Sequence, residues 1–129
     1  MTRPLTSLLA AGLLAGGLAQ AQPAPTIAAA AAVARGQQLY EARCTGCHSV
    51  DANRTGPLHR GVLGRRAGSV AGYAYSPALA GSGLVWTREN LLRWLAGPEA
   101  LVPGQKMGAS LRSEADRADV VAFLASLSP

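Results

Sequence analysis

At 129 residues the chain is long enough for one domain and too short for two. Its net charge of +5 comes from scattered basic residues, nearly all arginine, with no aromatic interleaving, which argues against a nucleic-acid surface. Two tryptophans, three tyrosines and one phenylalanine leave few large side chains to fill a core that is thin at this size, so a bulky ligand is expected at the centre.

The chain opens like an export signal. Arg3 supplies a positive charge, Leu5 to Leu18 form a mostly apolar run, and Ala19-Gln20-Ala21 reads as a small-x-small cleavage site. The run is shorter than the roughly 20 residues that span a bilayer, and it contains Gly12, Gly16 and Gly17. A signal peptide over 1–21, removed on export to a bacterial periplasm, is therefore expected, with no stable membrane insertion afterwards. Neither a twin-arginine pair nor a nearby cysteine points to folded export or a lipid anchor. Residues 22–34 read as a linker and helix lead-in, and 35–129 as the functional domain.

Alanine, the best helix former, fills a stretch that starts at Ile27 and runs through Gln37 and Leu39 to Arg43, with Thr26 placed to cap it. Residues 49–82 are rich in Gly, Pro, Ser and Arg without a sustained period, and read as ordered loop with room for one short helix. Thr87 then caps a helix with Leu91, Trp94 and Leu95 on one face, and Gly97-Pro98 stops it. Leu101 to Gly108 reads as a loop. Ser113-Glu114-Ala115-Asp116 resembles a capping box, opening a last helix with Val120, Phe123, Leu124 and Leu127 on one stripe. No strand-like alternation or repeat stands out. The class is all-α, about three main helices with long loops, and loops that long in so small a domain suggest that they wrap a ligand.

The two cysteines lie in Cys44-Thr45-Gly46-Cys47-His48, the C-x-x-C-H signature of covalent haem attachment. Two thiols three residues apart on a helical turn can each reach a vinyl group on the edge of one porphyrin and form a thioether. The next side chain, His48, then lies under the ring and offers a nitrogen to the iron. A disulfide across so short a loop would stabilise little. A thioredoxin-like pair belongs beside βαβ patterning, which is missing. A zinc site of Cys44, Cys47, His48 and His59 lacks the usual spacing of a second ligand pair. For the other axial position the candidates are His59 and Met107. Met107 is the only methionine beyond the signal, it sits in a Pro/Gly-rich loop and not on a helix stripe, and a soft thioether suits low-spin iron. Met107 is preferred.

From Gly36 to Leu127 the chain resembles the class I cytochromes c of the mitochondrial and bacterial soluble type. The resemblance is carried by Gly36 and Tyr40, the Cys44–His48 motif, Thr55-Gly56-Pro57, Gly64-Arg65, Gly72-Tyr73-Ala74-Tyr75-Ser76, Gly83-Leu84-Val85-Trp86 and Pro103-Gly104-Gln105-Lys106-Met107. It implies the cytochrome c fold wrapped around one covalent haem c, ligated by His48 and Met107. It implies that Pro57 offers its carbonyl to the far nitrogen of His48, and that Arg65, Tyr75 and Trp86 hold a haem propionate. The sequence departs from the family pattern at Trp94, where a tyrosine is common, at Gln105, where a threonine is common, and at Leu79, where mitochondrial forms carry a buried asparagine. The function so implied is a periplasmic electron carrier and not an enzyme, cycling Fe(II)/Fe(III). The alternatives are the cytochrome subunit of a periplasmic dehydrogenase and, less favoured, a ligand-binding or peroxidatic haem protein. The expected partners are redox proteins with acidic docking surfaces, met by a monomer or by a subunit of a redox complex.

Overall fold

The structure, a computed structural model, describes residues 23–127 and 129; the expected signal over 1–21 lies outside them. The described residues form five helices: α1 (Ile27–Arg43), α2 (Pro77–Ala80), α3 (Arg88–Ala96), α4 (Pro98–Leu101) and α5 (Glu114–Ser126). The three long helices begin where the sequence places caps. The hydroxyls of Thr26, Thr87 and Ser113 accept from the backbone N–H of Ala29, Asn90 and Asp116 at 3.2, 3.1 and 3.1 Å.

The short helices are local events. Ser76 caps α2 by accepting from Leu79 N at 3.1 Å, with Pro77 in the first position, where a missing N–H costs nothing. Gly97 has extended backbone at φ −177° and ψ 93°, outside the α region that a residue before proline avoids, so α3 ends there. Pro98 at once starts α4, which carries the chain to Leu101 before the expected loop. The last helix stops one residue short of the expected stripe: Leu127 is its C-cap, and Val121 joins the buried set instead.

The core sits where α5 packs against α1 and α3. Tyr40 and Phe123 meet with ring centroids 5.1 Å apart, and Leu91, Trp94, Leu95, Val120 and Leu124 complete the apolar centre. The α1–α5 crossing depends on Gly36. A Cβ there would lie 1.9 Å from the carbonyl oxygen of Asp119 and 2.9 Å from Cβ of Phe123. At the rim of the crossing Arg35 forms a two-pronged pair with Asp119 at 2.6 and 2.9 Å, which holds the Asp119 carboxyl below its ordinary range.

The middle of the chain, with little regular structure, is closed by backbone bonds. Arg66 and Val85 form one antiparallel bridge, flanked by Ala67 N to Leu84 O (2.8 Å), Trp86 N to Arg65 O (2.9 Å) and Gly64 N to Trp86 O (2.9 Å). Gly68 turns this loop at φ +74°, with its α-carbon hydrogens facing Ala80, where a Cβ would approach to 2.7 Å. No helix among the described residues is long and apolar enough to cross a membrane.

Gly36→Ala places a methyl group against backbone that cannot turn aside. It should destabilise the fold by about 1–3 kcal/mol, the usual range for overpacking, or more if α1 must move. Urea unfolding followed by far-UV circular dichroism measures this, and an unchanged midpoint would contradict the close crossing.

Candidate functional site

The C-terminus of α1 delivers the motif. Cys44 N still donates to Tyr40 O at 2.8 Å, Thr45 Oγ1 donates to Glu41 O at 2.6 Å, and His48 N donates to Cys44 O at 2.8 Å. The turn after the helix is therefore continuous with it, and both thiols and the imidazole leave one rigid support. They border a cavity of about 590 Å³, walled also by the loops around 55–86 and 105–111, by α3 and by α5. Each residue singled out in the sequence lines this one cavity: Cys44, Cys47, His48, Pro57, Arg65, Tyr75, Trp86 and Met107. Its size falls in the range of small-molecule and cofactor sites, and Leu79, Leu91, Leu95, Val120 and Leu124 give it apolar walls.

Both cysteines are free thiols. Burial, aided by the neighbouring Cys47, pushes the Cys44 thiol up to about 11. That is the reverse of what a reactive dithiol pair requires. Among the described residues no three or more His, Cys, Asp or Glu side chains converge as a metal-holding group, so the tetrahedral zinc reading finds no geometric support.

His48 is held as a neutral ligand would be. Its Nδ1 lies 2.8 Å from the carbonyl oxygen of Pro57 and can only donate there. The proton therefore sits on Nδ1, and the Nε2 lone pair is left for another partner. Burial lowers the basicity of the ring, and the Pro57 bond offsets part of that. Gly56 packs flat against the ring: a Cβ would lie 2.2 Å from Cε1 of His48.

Met107 is reached from the other end of the chain. Its sulfur accepts the indole N–H of Trp94 at 3.1 Å, so the tryptophan found where the family commonly has tyrosine serves as a donor to the thioether. A thioether has two lone pairs, and this bond uses one. Trp94 also packs edge-on to Trp86 at 5.2 Å. Gln105 Oε1 accepts from Met107 N, while Gln105 Nε2 and Gly104 N donate to the Glu99 carboxylate at 3.3 and 3.0 Å. Gln105 thus pins the methionine loop to α4.

The polar wall is ordered as well. Arg65 donates to the carbonyls of Leu58 (2.8 Å) and Arg60 (3.1 Å), Tyr75 accepts weakly from Val70 N (3.4 Å), and Tyr73 donates to Thr55 O (2.6 Å). Burial is the main cause of the lowered Arg65 guanidinium and the raised Tyr75 phenol, and an anion placed between them would relieve the former. Taken together, two thiols and an imidazole on one turn, a thioether, apolar walls and a set of Arg, Tyr and Trp donors fit a covalently attached haem.

Two features were not legible in the sequence: the Glu99–Gln105 clamp, and the stacking of His59, weighed there only as an axial or zinc ligand, on His48 at 4.2 Å. Trp94 stands where the family pattern sets a tyrosine near the methionine, and here its N–H donates to the sulfur. The Gly97-Pro98 break, which returns the chain toward α3, is the one sequence signal for the clamp.

Comparison with known proteins gives the family and the fold. The cytochrome c family profile matches residues 33–128. Cytochrome c 2.1 of Caenorhabditis briggsae is 44% identical over 93 residues, 70% of this chain and 83% of its own. Cytochrome c2 iso-2 of Magnetospirillum fulvum is 47% identical over 87 residues, 65% of this chain and 91% of its own. Among solved structures, cytochrome cH from Methylobacterium extorquens superposes with a TM-score of 0.70 at 38% identity, covering 73% of this chain and 97% of that one. Ferricytochrome c2 from Rhodopseudomonas palustris gives the same TM-score and identity over 74% and 97%.

Trp94→Phe keeps an aromatic ring beside Met107 but removes the N–H together with part of a buried ring. It should lower the unfolding free energy by at least about 1 kcal/mol, the value of one hydrogen bond plus the cost of the space left by the smaller ring, measured by denaturant titration against the parent chain. No loss would mean that neither the donor nor the bulk of the indole supports the site.

Proposed function

This chain belongs to the cytochrome c family and is a c-type haem electron carrier, and we propose that His48 and Met107 are its two axial ligands, that Cys44 and Cys47 are its two points of covalent attachment, and that it works in a bacterial periplasm after loss of residues 1–21. The observation that carries the reading is the single cavity in which the attachment turn, a neutral His48 and the anchored sulfur of Met107 meet. When bound, the haem supplies a one-electron Fe(II)/Fe(III) couple.

The chain's own residues do the rest. Pro57 keeps the proton of His48 on Nδ1, so that Nε2 faces the ligand side as a lone pair. Trp94 and Gln105 hold Met107 from the sulfur and from the backbone, which opposes its replacement by water. Arg65, Tyr75 and Trp86 are the proposed propionate partners, able to compensate a buried carboxylate that would otherwise be costly. Leu79, Val120 and Leu124 exclude water from the interior. With a side chain for each axial position, none is left open to a substrate, and the reading is a carrier and not an enzyme. The net positive chain suits redox partners with acidic docking surfaces.

Denaturation followed by acidic organic solvent should leave the haem on the polypeptide, and its release would sink the attachment through Cys44 and Cys47. Met107→Ala should lower the reduction potential and open the iron to added imidazole or carbon monoxide; an unchanged optical spectrum would remove Met107 from the ligand set.

Raising ionic strength from 0.01 to 0.15 M shortens the screening length from about 30 to about 8 Å. The bimolecular rate with an acidic partner, followed by stopped flow, should fall at least about tenfold. A flat or rising rate would remove charge steering.

A further inference from the structure

His59, a candidate for the second axial position in the sequence, lies in the cavity wall beside the other histidine. Position 59 falls in a basic, glycine-containing stretch, yet its ring lies against His48 with centroids 4.2 Å apart and planes 21° from parallel. Its Nδ1 is 3.0 Å from the hydroxyl of Tyr40, itself one of the most buried side chains at 2% exposure. Burial, with His48 and the charge of Arg65 beside it, pushes the His59 ring down to about 3, so it is a neutral imidazole at ordinary pH.

Its backbone is tied to the strand of chain that carries His48. His59 N donates to Ser49 O at 3.1 Å, and Val62 N donates to His59 O at 3.0 Å. The stack is therefore held from three sides: by the backbone next to the ligand, by the loop that follows, and by the phenol of α1.

This matters because one hydrogen bond does not fix a ring. The bond from His48 Nδ1 to Pro57 sets a direction but leaves rotation about it. A flat partner in contact with the ring removes that rotation. A branched aliphatic side chain would fill the same space without preferring a plane, and two buried polar groups are tolerated here only because they satisfy each other.

We propose that His59 is a positioning residue that sets the plane of the His48 imidazole, and that Tyr40 fixes His59 in turn, so that the α1–α5 interface is coupled to the axial ligand. The inference rests on the assignment of His48 as a ligand made above. The orientation of that plane decides how the ligand's π orbitals overlap the iron, and hence how unpaired spin spreads over the porphyrin in the ferric state.

The test uses the holoprotein and three forms: wild type, His59→Leu and Tyr40→Phe. The proton NMR spectrum of the ferric protein gives the four hyperfine-shifted haem methyl resonances, whose order and spread report the ligand plane. We expect a changed order or spread in His59→Leu and a smaller change in the same sense in Tyr40→Phe, with the Met-to-iron optical band retained in both. A merely structural role would lower the unfolding midpoint and leave the methyl pattern as in wild type; that result in both variants overturns the proposal. A change in His59→Leu alone overturns the part given to Tyr40. Should His59→Leu fail to assemble, Tyr40→Phe, which removes a single oxygen, decides the matter by the same readout. A wild-type spectrum without histidine ligation would overturn the ligand assignment itself, which is distinct from an unchanged methyl pattern on intact ligation.

Discussion

Everything in this molecule hangs on how closely α1 and α5 cross. At Gly36 the two backbones approach to a distance that excludes even a methyl group. One turn further along α1, Tyr40 and Phe123 pack ring against ring, and after one more turn the helix ends in the motif that carries both cysteines and His48. A rigid helix turns a constraint at one end into a position at the other. The attachment turn is thus placed by a contact more than two helical turns away, where no residue takes part in the chemistry.

The cavity that results is apolar but not lacking in polar groups, and the way these are treated is consistent. Among the described residues no buried side-chain nitrogen or oxygen lacks a hydrogen-bond partner. The imidazoles of His48, buried, and His59, half-buried, are both shifted toward the neutral form, mainly by loss of solvent, which spares the interior two unpaired positive charges. Of the positive charges that line the cavity, Arg43 and Lys106 are exposed, and Arg65 is half-buried against backbone carbonyls at the edge of the site. A carrier whose centre gains and loses a charge benefits from surroundings that do not themselves titrate in the same range.

The two ends of the site are built differently. His48 is adjacent in sequence to its cysteines, and its partners Gly56, Pro57 and His59 follow within a short loop. Met107 depends on contacts between α3, α4 and the loop with Pro103 and Gly104. Trp94 supports its sulfur, and Glu99 and Gln105 support its backbone. At Gln105, where the family commonly has a threonine, the side chain is engaged within the protein, as a clasp between α4 and the methionine.

Much of this protein is determined locally and so could be read without coordinates. Hydroxyl caps at Thr26, Thr87 and Ser113, the alanine run and the Gly97-Pro98 stop act through neighbouring residues, and they place the three long helices. The Cys44–His48 spacing works through a single helical turn, and Met107 stands out in the Pro/Gly-rich loop, so both candidate ligands are visible in the order of residues alone. What tertiary structure alone decided are the contacts between segments that the chain brings back on itself. His59 meets His48 because Gly56, His59 and Arg60 donate backbone bonds to Cys47, Ser49 and Val50 and fold the loop against the motif. Trp94 reaches Met107 only because the chain reverses after Gly97. Such contacts depend on the paths of two segments at once, and no propensity, cap or period at either residue encodes them.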